Sequence, residues 1–279
     1  MNWSDVLKEH RIEEATYIIG YAYTRPSDGQ RYFYNYCSAF AAYYTGAIWT
    51  NAHCVDGLLD IDRRLNRLRN ADPEYYIVQS GVQLGIPDDR VFRLVIDSYW
   101  KHPDYDDTTR SEDVGLFDIE GRMPVLFDLL PRRFADDIAV GQPVGTLGFP
   151  GELGSTGGGG SQIVTPTFKD GVVSALRTVT SGNTDHIELQ YNFDTSPGTS
   201  GSPVFDHDGW IVAINHAGIQ DGTALNFGIS VEAMWGFLDY LEAGRGQVPP
   251  PQGDAARRAY QYDTYRPQPE DWNGQTILP

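Results

Sequence analysis

The chain has 279 residues, 41% of them hydrophobic, enough for one large or two small domains with a buried core. Its formal net charge of -17 repels phosphate backbones and argues against a nucleic-acid partner. No apolar run approaches the roughly 20 residues of a membrane span, and two cysteines, Cys37 and Cys54, are too few for a disulfide scaffold or a four-ligand zinc site.

Taken in order, Met1 to Glu14 is polar and charged with no apolar signal core, so a cytoplasmic location is expected, with secretion after loss of a leader as the alternative. Residues 15–23, 32–50, 75–84 and 91–100 are rich in Tyr, Phe, Ile and Val and read as strands, broken at 26–29 and 86–89 by Pro, Asp and Gly. Between them, Leu58, Leu59, Ile61, Leu65 and Leu68 predict a short helical insertion over 58–70. After Gly121 the pattern repeats, with strands near 143–149, 163–177, 186–193, 203–205, 210–216 and 225–230. Val231, Met234, Trp235, Leu238 and Leu241 then give a helix over 231–242 that stops at Gly244. Many short strands followed by one helix suggest two all-β units in succession. Gly151–Ser161 is nearly all Gly and Ser and reads as a mobile loop, and 245–279, with Pro249, Pro250 and Pro251, as an extended tail.

Three segments carry chemistry. A serine hydroxyl needs a neighbouring base to act as a nucleophile, and an imidazole base needs a carboxylate to hold its tautomer. Ser200 lies in Gly198-Thr199-Ser200-Gly201-Ser202-Pro203, where flanking glycines allow a sharp turn and let the Gly198 and Ser200 amides point at one spot, as an oxyanion requires. His53 follows the apolar stretch 46–49 in Thr50-Asn51-Ala52-His53-Cys54, and Asp113 opens Asp113-Val114-Gly115-Leu116. Taken singly, each has an ordinary explanation: a Gly/Ser turn, a structural histidine, a strand-leading cap.

Together, and in the order His, Asp, Ser, they resemble the trypsin/chymotrypsin superfamily of serine proteases. The His segment is similar to Thr-Ala-Ala-His-Cys, and His102-Pro103-Asp104-Tyr105 with Asp113-Val114-Gly115-Leu116 to His-Pro-x-Tyr and Asp-Ile-Ala-Leu. The Ser segment is similar to Gly-Asp-Ser-Gly-Gly-Pro, and Leu147-Gly148-Phe149-Pro150 and Asn226-Phe227-Gly228-Ile229-Ser230 resemble bacterial trypsin-like peptidases and glutamyl endopeptidases. The resemblance spans about residues 15–243. It implies an all-β chymotrypsin-like fold of two six-stranded antiparallel β-barrels, one over 1–120 carrying His53 and Asp113, one over 121–244 carrying Ser200, with a C-terminal helix and tail. The implied activity is peptide-bond hydrolysis through an acyl-enzyme, with no cofactor or metal and a protein or peptide as substrate. The six histidines are scattered and form no His-Glu-x-x-His, which disfavours a metal hydrolase. A catalytically silent peptide-binding relative is the alternative.

Some positions depart from the family. Thr199 stands where zymogens carry the Asp that pairs with a new N-terminus, so activation by clipping is not expected. Cys37 and Cys54 match the bridge closing the family's histidine loop, although two buried thiols suit a cytoplasmic chain equally. Asp194, six residues before Ser200 and followed by Thr195, lies at the family's pocket-base offset and would select Arg or Lys. Glutamyl endopeptidases can carry Asp-Thr there too, with a His whose place here is taken by Asn215; His216, one residue on, would face away by strand alternation. The tail carries Tyr260, Tyr262, Tyr265 and Trp272 after Arg257 and Arg258, so packing on the barrels or a regulatory partner is expected of it.

Overall fold

The computed structural model describes residues 2–83, 86–150, 155–156, 163–181, 184–218 and 226–244. Strands β1 (Thr16–Thr24), β2 (Arg31–Phe40), β3 (Ala47–Thr50), β4 (Glu74–Gln79), β5 (Val91–Lys101) and β6 (Gly115–Glu120) pair antiparallel in the order β1-β4-β5-β6-β3-β2. β1 pairs with β2 as well as β4, which closes this first ring. After β7 (Pro143–Gly148), the two-residue strand β8 (Ser155–Thr156) returns to the edge of β2. The second ring is a closed barrel of β7, β9 (Thr167–Ser181), β10 (Thr184–Tyr191), β11 (Pro203–Phe205), β12 (Ile211–Gly218) and β13 (Asn226–Ser230), in the order β10-β13-β12-β11-β7-β9.

Period-two alternation explains how the rings pack. Ile48 and Phe117 point into the first barrel, where they meet Tyr17, Ile19, Ile77 and Leu94. Their neighbours Trp49 and Leu116 point the other way, into a cluster shared with Val144, Leu189, Val204 and Ile214 of the second barrel. β3 and β6 are therefore buried on both faces, and the two barrels meet through apolar surface. Helix α3 (Val231–Gly244) caps that cluster with Val231, Met234, Phe237, Leu238 and Leu241.

Several elements differ from the sequence expectation. Helix α2 runs over Ala52–Leu65 rather than 58–70, because Ala52, Val55 and Leu58 already face the barrel, and the helix ends at the C-cap Asn66. The stretch 32–50 is two strands, separated by a turn in which Tyr43 takes a positive φ of 63°. The N-terminus contains helix α1 (Trp3–Glu9), capped where the Asn2 side chain accepts from the Asp5 amide. Its Trp3 ring packs against Phe168, Phe205 and His207, with centroids 5.5, 5.9 and 4.1 Å apart, so α1 straps the start of the first barrel onto the second. Most of the Gly/Ser stretch 151–161, the glycines at 157–160 among it, and the tail 245–279 lie outside the described residues; Ser155 and Thr156 are the paired exception.

Candidate active site

His53 sits in the first turn of α2, and Asp113 ends the loop leading into β6. The Asp113 carboxylate, fully buried, accepts the His53 amide at 2.9 Å through Oδ1 and faces His53 Nδ1 at 2.6 Å through Oδ2. Asn51, the residue before α2, donates its side-chain amide to the Asp113 carbonyl at 2.8 Å and so ties helix start and loop together. Burial pushes the Asp113 carboxyl up, but the His53 ring and amide, with the nearby His216, outweigh it and hold it below its ordinary value. Cys37 of β2 and Cys54 of α2 are joined by a disulfide, which anchors the residue next to His53.

Ser200 lies in the turn between β10 and β11, where Gly198 and Gly201 take φ of +91° and +84°. The turn is knotted onto the first barrel through Ser38 of β2: the Ser38 amide donates to the Ser200 carbonyl at 2.8 Å, and its hydroxyl to the Gly198 carbonyl at 2.9 Å. A Cβ at Gly201 would run into the Ser38 carbonyl and the Thr50 hydroxyl. Inside the turn the Thr199 hydroxyl donates to the Ser196 carbonyl at 2.7 Å and the Ser202 hydroxyl to the Thr199 carbonyl at 2.7 Å. Among the described residues, the Gly198 and Ser200 amides donate to no protein acceptor, which leaves both free for an oxyanion. The Ser200 hydroxyl donates to the His216 carbonyl at 3.3 Å, and no hydrogen bond joins it to His53.

Asn215 and His216 point to opposite sides of β12. The Asn215 side-chain amide donates to the Thr199 carbonyl at 2.9 Å, and its oxygen accepts from the buried Tyr191 hydroxyl, which also reaches the Phe227 carbonyl at 2.6 Å. His216 instead turns toward Asp113, with Nδ1 3.8 Å from Asp113 Oδ2, and its Nε2 is 3.6 Å from Glu188 of β10. Thr195 is pinned to the Asn226 side chain through its amide and hydroxyl, at 3.1 and 2.6 Å, whereas Asp194 is exposed. Sequence reasoning did not single out Asn51, Ser38, Tyr191 or Glu188. Among the described residues, the one grouping of ligand-type atoms with metal-site spacing is Cys37, His53 and Cys54, and the disulfide uses both sulfurs.

Two antiparallel barrels, with an imidazole–carboxylate pair on the first and a glycine-flanked serine turn on the second, define a two-barrel serine hydrolase. The trypsin-like peptidase domain matches residues 37–214, and the chain belongs to that family of serine proteases. No curated protein matches it by sequence. Among solved structures it is similar to the inactive form of Rv3671c from M. tuberculosis, at 15% identity over 88% of this chain and 92% of that one, with a TM-score of 0.54. It is also similar to the HtrA-type protease AlgW with a decapeptide, at 18% identity, 88% and 69% coverage and a TM-score of 0.58. Deg5 gives 19% identity, 85% and 92% coverage and a TM-score of 0.55. These likenesses are likenesses of fold, and they agree with the chymotrypsin-like pair of barrels.

Proposed function

We propose that the chain is a serine endopeptidase in which Ser200 attacks the scissile carbonyl, His53 carries the proton and Asp113 orients His53. The Gly198 and Ser200 amides receive the oxyanion. The observation that carries this reading is the 2.6 Å contact of His53 Nδ1 with the buried Asp113 carboxylate, which favours the His53 proton on Nδ1 and leaves Nε2 as the base. The Ser200 hydroxyl bonded to His216 is a resting geometry on this view, since such contacts often tighten only with substrate. Ser200→Ala is expected to lower peptidase activity by about 10³-fold or more with the fold unchanged by circular dichroism. Activity within a few-fold of wild type, or failure of a fluorophosphonate to label the native protein, would favour a silent peptide-binding relative.

For specificity we read Asp194, exposed and negative, as the receiver of an Arg or Lys side chain. A Glu-selective pocket needs a donor or cation to meet the substrate carboxylate. Asn215 is already committed to Tyr191 and Thr199, and His216 faces Asp113. A peptide-library digest decides the matter, and cleavage mainly after Glu or after large apolar residues would overturn it. The disulfide further supports an oxidising compartment over the cytoplasm, and a thiol count of zero in denatured, unreduced protein is the corresponding test.

A further inference from the structure

A second imidazole stands against the same Asp113 oxygen that faces His53. His216 Nδ1 is 3.8 Å from Asp113 Oδ2, and on its other edge His216 Nε2 is 3.6 Å from Glu188 Oε1. His186, also on β10, brings its Nε2 to 3.7 Å from that same Glu188 oxygen. Next to them His102 Nε2 lies 3.9 Å from Glu112 Oε2. All six groups are buried, and among the described residues neither ring nitrogen of His216 or His186 has a hydrogen-bond partner.

A neutral imidazole has one N–H and one lone pair. Placed between two carboxylates at 3.8 and 3.6 Å, His216 can aim an N–H toward only one and turns a lone pair on the other, whichever nitrogen holds the proton. A second proton would satisfy both, and burial opposes it. These opposing influences are identifiable: burial is the largest and disfavours the charged ring, Asp113 and Glu188 favour it, and His53 and Arg110 disfavour it. His186 faces the same Glu188 oxygen as His216. The balance bears on the reaction twice, because the His216 carbonyl also accepts the Ser200 hydroxyl at 3.3 Å.

We infer that His216 is a positioning residue for the triad, acting through Asp113. Neutral, it leaves the Asp113 charge to His53. Protonated, it takes a share of that charge, sets a second cation near His53, and makes His53 a poorer acceptor of the Ser200 proton. Acidification then silences the enzyme through the buried His216 as well as through His53, with Glu188 setting how readily His216 charges. The inference rests on the triad reading given above.

The test is the rate at which a fluorophosphonate labels Ser200 in the full chain, from about pH 8 to 4, normalised to the folded fraction from circular dichroism. In the wild type the acid limb is expected to begin as a one-proton decline and steepen toward about two protons per pH unit. His216→Asn is expected to leave a one-proton limb throughout. Glu188→Gln, which keeps His216 and removes one anion beside it, is expected to move the steepening to lower pH. A wild-type limb of one proton at every pH, or steepening unchanged in the variants, would overturn the inference. If His216→Asn does not fold, Glu188→Gln decides alone, and an unshifted limb overturns it. No labelling of the wild type at any pH would instead overturn the triad itself, so the two failures are distinguishable.

Discussion

His53 and Asp113 are held by one kind of force and Ser200 by another. The pair belongs to one barrel and is joined directly, by two hydrogen bonds onto a buried carboxylate with Asn51 as a brace. Charge-assisted bonds of this sort are among the stronger single contacts in a protein. Ser200 has no comparable side-chain anchor; its turn is positioned by backbone bonds that cross from the second barrel to Ser38 of the first. The pair should survive small changes in how the barrels dock, whereas the placement of Ser200 should not. The difference teaches where each half is vulnerable: the first to loss of one functional group, the second to a fraction of an ångström at a backbone contact.

The largest expected effect breaks the first half. Asp113→Asn keeps the volume and the acceptor for the His53 amide, but presents an NH2 where His53 Nδ1–H had an acceptor, which favours the wrong tautomer. A fall in kcat of about 10³- to 10⁴-fold is expected with a near-native circular dichroism spectrum. Retained activity would show that the carboxylate does not orient His53.

Gly201→Ala breaks the second half. The position has φ +84°, and the new methyl meets the carbonyl of Ser38, the residue whose amide donates to the Ser200 carbonyl. A destabilisation of about 1–3 kcal/mol is expected from strain at such a site, together with loss of fluorophosphonate labelling. The downfield proton resonance of the His53–Asp113 hydrogen bond should persist in the folded fraction. Loss of that resonance along with labelling would mean that the halves are not separately held.

A smaller effect sharpens the comparison through pH. Burial pulls His102 down from 6.5 to about 4, so the unfolded chain takes up that proton first. Its contribution to stability is full above the unfolded value and is lost as pH falls through the folded one, between 6.5 and about 4. Asp113, also lowered, works in the same direction further into acid, while Glu112, pushed up mainly by burial, works against both. His102→Gln is therefore expected to flatten the decline of urea stability across that window, and an unchanged slope would remove His102 from the account.

The segments around His53, Asp113 and Ser200 stood out in the sequence because the proposed chemistry demands particular residue types next to turns and strand ends. Most strands were legible too, as apolar and aromatic runs between Pro, Asp and Gly breaks, although β2 and β3 read as one. His186 and Glu188 were not. They occupy alternate positions on β10, with Leu189 and Tyr191 facing the second core, and a polar set on alternate positions reads as a solvent face. Contacts made only in the folded chain bury them, and these have no local signature. Helix α1 escaped for a different reason: seven residues with Val6 as the one buried side chain are too short to display a period. The sequence also left bridge and thiols open at Cys37 and Cys54, because pairing depends on the distance between β2 and α2.

The smallest expected effect lies at a contact that looks important. Lys101, at the end of β5, places Nζ 2.8 and 2.9 Å from the two carboxylate oxygens of Asp56, in the helix that carries His53. It is tempting to credit this ion pair with holding His53 in place. The side chains are 31% and 39% exposed, however, and pairs this accessible contribute about 0.2–1 kcal/mol, less still in salt. The buried bonds onto Asp113 should each outweigh it. Lys101→Met removes the charge while keeping a stem to cover the Tyr105 ring, over which Nζ now sits at 5.2 Å. For a chain of this size the melting temperature should fall by no more than about 2–4 °C. The difference from wild type should shrink in high salt, and the labelling rate should stay within about twofold. A tenfold loss of labelling would mean that α2, and His53 with it, is positioned from the surface rather than by Asp113, and the contrast between the two halves would have to be redrawn.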